Sequence, residues 1–292
     1  MKPPRFEYHR TGTVDEVVAL LAEYGDEAKV LAGGQSLVPL LSLRLARPAH
    51  LVDINRVAGL ATIGNGNGNG LTLGAMVRHR AIERSDVVQR ANPLLAHAVR
   101  FIGHSAIRNR GTVGGSIAHA DPAAELPAVL LVLEGEVEAR RAQGTRTVPA
   151  AALFEGFLTT ALQPDELLTA IRVPPMPAGT GWSFQEFSRR SGDFAIVGVA
   201  ATVRLDGNGN VGEARLAFSG VDQVPLRATA AESLLAGATP SDDLWKSAAH
   251  AAAMPLEPAS DIHGSAAYRT HLAAVLAERA LREAHDRARD AR

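Results

Sequence analysis

The chain has 292 residues, 46% of them hydrophobic and 21% charged, with a net charge of −1. That is enough for two domains and a sizeable core, and it gives no global field to attract nucleic acid or anionic lipid. Cysteine is absent, which excludes disulfides, thiolate nucleophiles and any cysteine-ligated iron–sulfur cluster within the chain.

Met1-Lys2-Pro3-Pro4-Arg5 has no apolar stretch of the kind a secretory leader needs. The longest apolar runs, such as Ala128 to Leu133, are far shorter than the roughly 20 residues of a membrane span. No span and a cytoplasmic location are therefore expected. Phe6 and Tyr8 open a predicted edge strand, and Thr13 with Glu16 has the spacing of a capping box before a helix that Gly25 stops. Lys29 to Leu31 reads as a strand end. It leads into Ala32-Gly33-Gly34-Gln35-Ser36 and then a helix over Leu37 to Leu45, with Ser36 as its N-cap. Pro39 is tolerated in the first helical turn. Leu51 to Ile54 is a second predicted strand. Asn65 to Gly70, between two apolar runs, predicts a hairpin turn.

Helices are expected over Val77 to Ser85 and Pro93 to Phe101. The segment Ile102 to Arg110 leads into a second glycine pair, Gly111-Thr112-Val113-Gly114-Gly115-Ser116. Asp121-Pro122 reads as an N-cap with proline at the first helical position, opening a short helix through Glu125. Val137 to Arg140 and Arg146 to Val148 form a predicted strand pair. Pro174 to Gly179 is the linker candidate. Beyond it, strands are expected over Gly181 to Phe187, Phe194 to Leu205 and Val211 to Phe218. Helices are then expected over Ala228 to Leu235, Asp243 to Ala253 and Ser265 to about Arg287, with Arg282 to Arg292 as a solvated or frayed tail. The predicted boundary falls near residue 175, after an α+β half of about 1–56 and 57–175. Residues 176–292 form a smaller domain of antiparallel strands followed by helices.

A strand, two glycines and a helix start aim several backbone N–H groups at one anion, and glycine permits the close approach that a Cβ would block. One such loop, taken alone, reads more readily as an ordinary strand-to-helix turn. Two, each with a serine just after the glycines, point to a diphosphate ligand. Other phosphate and catalytic motifs fail. Gly207 to Gly212 has the letters of GxGxxG but joins two strands, and no lysine is placed for a P-loop. Ser116, His119 and Asp121 lie too close in sequence to converge as a triad. No metal-ligand cluster and no catalytic residue stands out. Asp121 reads either as a plain N-cap or as an acceptor for ribose or ribityl hydroxyls.

Leu31 to Leu37 running on through Arg44-Leu-Ala-Arg-Pro48, and Gly111 to Pro127, resemble the two FAD motifs of the flavoprotein (medium) subunit of molybdenum hydroxylases. These are the carbon monoxide dehydrogenase and xanthine dehydrogenase families. Phe187 to Ala195, Gly156 to Thr160 with Pro164 to Leu168, and Tyr268-Arg269 match further stretches, so the resemblance covers nearly the whole chain in order. It implies a vanillyl-alcohol-oxidase-type (PCMH-like) FAD fold of two α+β subdomains, followed by a C-terminal antiparallel-sheet-and-helix domain. Carried over by position, Ala32, Gly33, Gly34, Gln35, Ser36 and Leu37, with Thr112, Gly114, Gly115 and Ser116, would hold the pyrophosphate through N–H and hydroxyl donors. Asp121 would bind sugar hydroxyls, and Ile102, Ile107 and Leu162 would pack near the adenine or flavin. Arg189 or Arg190 would stand near the isoalloxazine. Many relatives have lysine where this chain has Glu186.

The resemblance implies non-covalent FAD in an electron-transfer subunit. A [2Fe–2S] small subunit would deliver electrons, a molybdopterin large subunit would oxidise the substrate, and NAD⁺ or a quinone would accept the electrons. The assembly would be a dimer of heterotrimers, a heterohexamer. Two alternatives remain at this stage: a stand-alone flavin reductase or oxidase of the same fold, and a cofactor-free scaffold.

Overall fold

A computed structural model describes residues 2–66 and 70–291. The first segment alternates strand and helix: β1 (Glu7–Arg10), α1 (Val14–Tyr24), β2 (Ala28–Leu31), α2 (Leu37–Ser42) and β3 (His50–Asp53). The three strands are parallel in the order β1-β3-β2, as they must be when a helix carries the chain back across the sheet each time. Thr13 and Glu16 form the expected capping box, and Gly25 ends α1 in a conformation with φ +49°. Val17, Val18 and Leu21 of α1 are buried with Val52 and Ile54. The second predicted helix stops at Ser42, three residues early. Ser36 occupies its N-cap position, yet the Ser36 side chain makes no capping bond.

The next sheet is antiparallel in the order β4-β5-β10-β6-β7. It comprises β4 (Ile63–Asn65), β5 (Leu71–Gly74), β6 (Glu136–Arg141), β7 (Gly144–Pro149) and β10 (Leu167–Val173). β4 and β5 pair as the Asn-Gly signal predicts. The tip of that hairpin, residues 67–69, lies outside the described residues. Six helices run between β5 and β6: α3 (His79–Arg84), α4 (Asp86–Ala91), α5 (Pro93–Ala98), α6 (Ser105–Arg110), α7 (Val113–His119) and α8 (Glu125–Val132). A small ladder, β8 (Phe154–Gly156) with β9 (Thr159–Thr160), precedes β10.

The last body is a four-stranded antiparallel sheet of β11 (Thr180–Phe187), β12 (Val197–Leu205), β13 (Val211–Ser219) and β14 (Leu226–Arg227). It carries α9 (Thr229–Leu235), α10 (Asp242–Ala253) and α11 (Ala266–Asp290). α8 is apolar around its whole circumference because it is buried on every side, packing against α5 and α7 and also on β12 and β13. Phe184, Ala200 and Ala217 from this sheet accordingly join the core that holds α8. α11 lies against β11 and β12 so closely that a Cβ on Gly181 would come 1.8 Å from the Ala284 carbonyl oxygen. The C-terminal stretch expected to be a frayed tail is therefore helix to Asp290. Ala284 and Ala288 are buried, and Arg287 donates to the Trp182 carbonyl at 2.6 Å.

Candidate cofactor site

The loop after β2 carries the first glycine pair. Gly34 has φ +75°, a conformation that favours glycine. Among the described residues, the amides of Gly33, Gly34, Gln35 and Ser36 find no acceptor, while the Gly34 carbonyl accepts from Val38 N at 3.0 Å. Four adjacent donors are thus left without an acceptor among the described residues. Gly33 is buried against the start of the second glycine stretch. A Cβ there would lie 2.5 Å from Arg110 O and 2.9 Å from Gly111 Cα. Close approach is the reason for glycine at 33, and the two stretches are in van der Waals contact.

A polar bridge fixes that contact. Asn55 Nδ2 donates to Ala32 O at 2.8 Å, and Arg78 Nη2 donates to Asn55 Oδ1 at 2.7 Å. The other Arg78 terminal nitrogen donates to Arg110 O. Burial and the neighbouring Arg110 lower the Arg78 pKa from its usual value. Neither Asn55 nor Arg78 was singled out from the sequence; both are isolated polar residues whose partners are remote along the chain.

The second stretch works differently from the expectation. Val113–His119 is helix, N-capped by Thr112, whose hydroxyl accepts from Gly115 N at 3.1 Å. Val113 N donates to Val77 O, Gly114 N to Ala75 O and Ser116 N to Thr112 O. These amides are occupied within the protein, so the expected N–H donors from 113 to 116 are not free. What remains is the half-buried Ser116 hydroxyl, which has no hydrogen-bond partner among the described residues, and the Thr112 O–H. Gly114 is small because a Cβ would strike Ala75, 2.6 Å from its Cβ. Gly115 packs toward the first loop, its added Cβ lying 3.6 Å from Ala32 Cβ. Beneath Gly111 lies His79, whose Nδ1 would be 2.8 Å from a Cβ at that glycine. Burial brings the His79 pKa down to about 4, against a weaker opposing pull from the Thr112 backbone.

Asp121 is not a helix N-cap. Its Oδ1 accepts from Ala123 N at 2.9 Å in an Asx turn, and the helix begins only at Glu125. Its second oxygen has no partner among the described residues. Ile102 and Leu162 are half-buried against the same core. The loop carrying Ile102 is held by Arg108, which donates to the carbonyls of Arg100, Ile102 and Gly103 and pairs with Glu83 at 3.0 Å. Ile107 lies over Gly103. Arg189 and Arg190 are exposed and make no ion pair among the described residues. Their loop reaches the Ile102 region through Gly192, which packs on the His104 ring, but no hydrogen bond joins it to the glycine stretches.

Sequence reading missed a buried carboxylate pair. Glu125 opens α8 fully enclosed, and burial, reinforced by Asp121, raises its pKa to about 7. Glu186 on β11 is pushed up to about 8 by burial and then by Glu125, and its Oε2 is buried with no partner among the described residues. The two lie close enough for the charge of one to act on the other. Gly198, the β12 partner of Glu186, leaves room there for the Ser219 side chain.

Residues 4–176 match the FAD binding domain in molybdopterin dehydrogenase, and residues 182–284 match the CO dehydrogenase flavoprotein C-terminal domain. The chain is 45% identical over 289 residues to the 6-hydroxypseudooxynicotine dehydrogenase complex subunit alpha of Paenarthrobacter nicotinovorans, covering 99% of this chain and 97% of that one. It is 41% identical over 284 residues to the carbon monoxide dehydrogenase medium chain of Hydrogenophaga pseudoflava, covering 97% and 98%. The solved structure of the Hydrogenophaga carbon monoxide dehydrogenase lacking the Mo-pyranopterin moiety aligns with a TM-score of 0.96 at 43% identity, covering 98% of this chain and 99% of that one.

Proposed function

The chain belongs to the FAD-binding medium subunits of molybdenum hydroxylases, and from this we propose that it is the electron-transfer flavoprotein of a three-subunit complex. It takes electrons from [2Fe–2S] clusters in a small subunit, while a molybdopterin large subunit oxidises the substrate. It then hands them to NAD⁺ or a quinone-type acceptor, in a cytoplasmic dimer of heterotrimers. With no cysteine in the chain, the clusters belong to another polypeptide. Residues 1–175 form the FAD-binding domain and 176–292 the C-terminal domain.

One observation carries the reading: four unspent amides at Gly33 to Ser36, packed against Gly111 with no room for a Cβ. Neutral backbone donors in this array suit a diphosphate. FAD, bound non-covalently, supplies the exchange between single electrons and electron pairs. The chain's own residues bind and orient it. Gly33 to Ser36 and Leu37, at the start of α2, hold the diphosphate, joined by the Thr112 and Ser116 hydroxyls. Ala32, Gly114 and Gly115 keep the two stretches in contact. The free oxygen of Asp121 accepts from sugar hydroxyls, Ile102, Ile107 and Leu162 give the rings an apolar wall, and Arg189 or Arg190 places positive charge at the isoalloxazine rim. No side chain of this subunit is assigned a proton transfer with the organic substrate.

The test is affinity purification of the native complex followed by flavin, iron and molybdenum analysis. One FAD per copy of this chain, released by heat or acid, is expected, with iron and molybdenum co-purifying. A complex without flavin, or a flavoprotein active without either metal, overturns the proposal.

A further inference from the structure

At the end of the first sheet opposite the glycine loops, β1 and β3 bring two imidazoles and a carboxylate together. Glu7 and His9 are two residues apart on β1 and so share a face. The parallel register places His50 directly beside Glu7. His9 Nε2 lies 3.0 Å from His50 Nδ1, and Glu7 Oε2 lies 3.7 Å from the same nitrogen. One potential ligand atom from each residue falls within 4.8 Å of the others. Tyr24, the last residue of α1, stacks on the His50 ring at 3.7 Å and 7°, and on His9 at 5.4 Å. The aromatic stack restrains both rings with their nitrogens turned toward each other.

Two facing imidazole nitrogens share at most one proton in a hydrogen bond. A divalent ion between them would engage the lone pair of each, with the carboxylate supplying charge. We propose that Glu7, His9 and His50 form a binding site for one divalent transition-metal ion, zinc being the best chemical match. Two nitrogens and one oxygen suit a borderline-soft ion and argue against magnesium or calcium, which prefer all-oxygen sites. Tetrahedral zinc with bonds of about 2.0–2.1 Å needs ligand atoms roughly 3.3 Å apart. The histidine nitrogens then have to separate by only a few tenths of an ångström. The Glu7 side chain is 66% exposed, so water can complete the shell. The bound ion would clip edge strand β1 to central strand β3. The phosphate-facing amides follow β2 at the far end of the strands, so this site is independent of the cofactor reading. His9 and His50 are 41 residues apart and have no metal-motif spacing, which is why no ligand cluster stands out in the sequence.

The experiment titrates the full chain, stripped with chelator, with zinc chloride alone, following heat by calorimetry and the thermal unfolding midpoint. One equivalent bound at micromolar concentration is expected, together with a rise in midpoint. His9→Gln and His50→Gln should each weaken binding about tenfold or more and abolish that rise. Glu7→Gln, at an exposed side chain, should weaken it less, and far-ultraviolet circular dichroism reports the fold of every variant. Binding only at millimolar zinc, which is an adventitious ion only, overturns the proposal. So does tight binding that survives the Glu7 and His9 substitutions.

Discussion

Replacing Glu186 by glutamine tests the buried carboxylate pair. Burial, with Glu125 adding to it, raises the Glu186 pKa from the ordinary 4.5 to about 8. The folded protein therefore binds this proton more tightly than the unfolded chain does. Below pH 4.5 both states are protonated and the group contributes no pH dependence. Above it, the unfolded state gains by ionising while the folded state holds its proton, so stability falls by about 1.4 kcal/mol per pH unit until roughly pH 8. Between pH 5 and pH 7 and a half this amounts to about 3 kcal/mol, a large fraction of the 5–15 kcal/mol typical of a folded domain. Glutamine keeps the shape and cannot ionise. Its amide protons add a desolvation cost of about 1–3 kcal/mol that does not vary with pH, so the slope is the readout rather than the absolute value. Urea denaturation followed by circular dichroism at half-unit steps from pH 5 to pH 8 measures it. The wild type is expected to lose about 3 kcal/mol more across that range than Glu186→Gln. Parallel curves for the two proteins would refute the assignment of a buried, protonated Glu186.

Three further outcomes are expected. Gly33→Ala forces a Cβ to 2.5 Å from Arg110 O; it should separate the two stretches and strip the purified protein of most of its flavin absorbance while leaving its circular dichroism intact. Gly181→Ala places a Cβ 1.8 Å from the Ala284 carbonyl oxygen, a collision of backbone with backbone. It should destabilise by about 3 kcal/mol, the upper end for overpacking, lowering the urea midpoint with no specific effect on flavin affinity. His79, buried with its pKa brought from 6.5 down to about 4, contributes stability that is whole above pH 6.5 and is lost as pH falls through 4. About 3 kcal/mol should disappear over that interval, and His79→Gln should flatten this acid limb in a pH series of unfolding midpoints.

Much of the fold is legible in the chain because the signals are local. The Thr13/Glu16 box, the Asn-Gly hairpin and the apolar strands of the last sheet each lie within a window of a dozen residues. The short helices α4 and α6 are not read from the sequence, since six residues complete fewer than two turns; α2, α3 and α5 are equally short, and the helices expected there run longer than those observed. The tail after Arg282 is charged enough to read as solvent-exposed. What holds it is Gly181, about a hundred positions earlier, where the missing side chain lets α11 settle onto β11. Glu125 and Glu186 are invisible for the same reason: each looks like an ordinary surface acid until distant parts of the chain fold around it.

The two glycine pairs show how similar letters serve different physical ends. Gly33 and Gly34 sit in a loop whose amides find no acceptor among the described residues, and the positive φ of Gly34 turns the chain into α2. Gly114 and Gly115 lie inside a helix whose amides are satisfied by Ala75 and Thr112; there the missing side chains clear Ala75 and the Thr112 hydroxyl. On the proposed reading, the first pair is open because the diphosphate needs donors, and the second is small because a rigid platform must press close behind it. A helix capped by Thr112 and anchored on β5 cannot yield when the first loop leans on it. Asn55 and Arg78 hold that loop at a fixed distance, and donors fixed before the ligand arrives lose less freedom on binding. The symmetry suggested by the sequence, two equivalent cradles, thus resolves into one cradle and its support. Gly33 tolerates no added carbon because the backbone of Arg110 and Gly111, just ahead of that helix, packs against it.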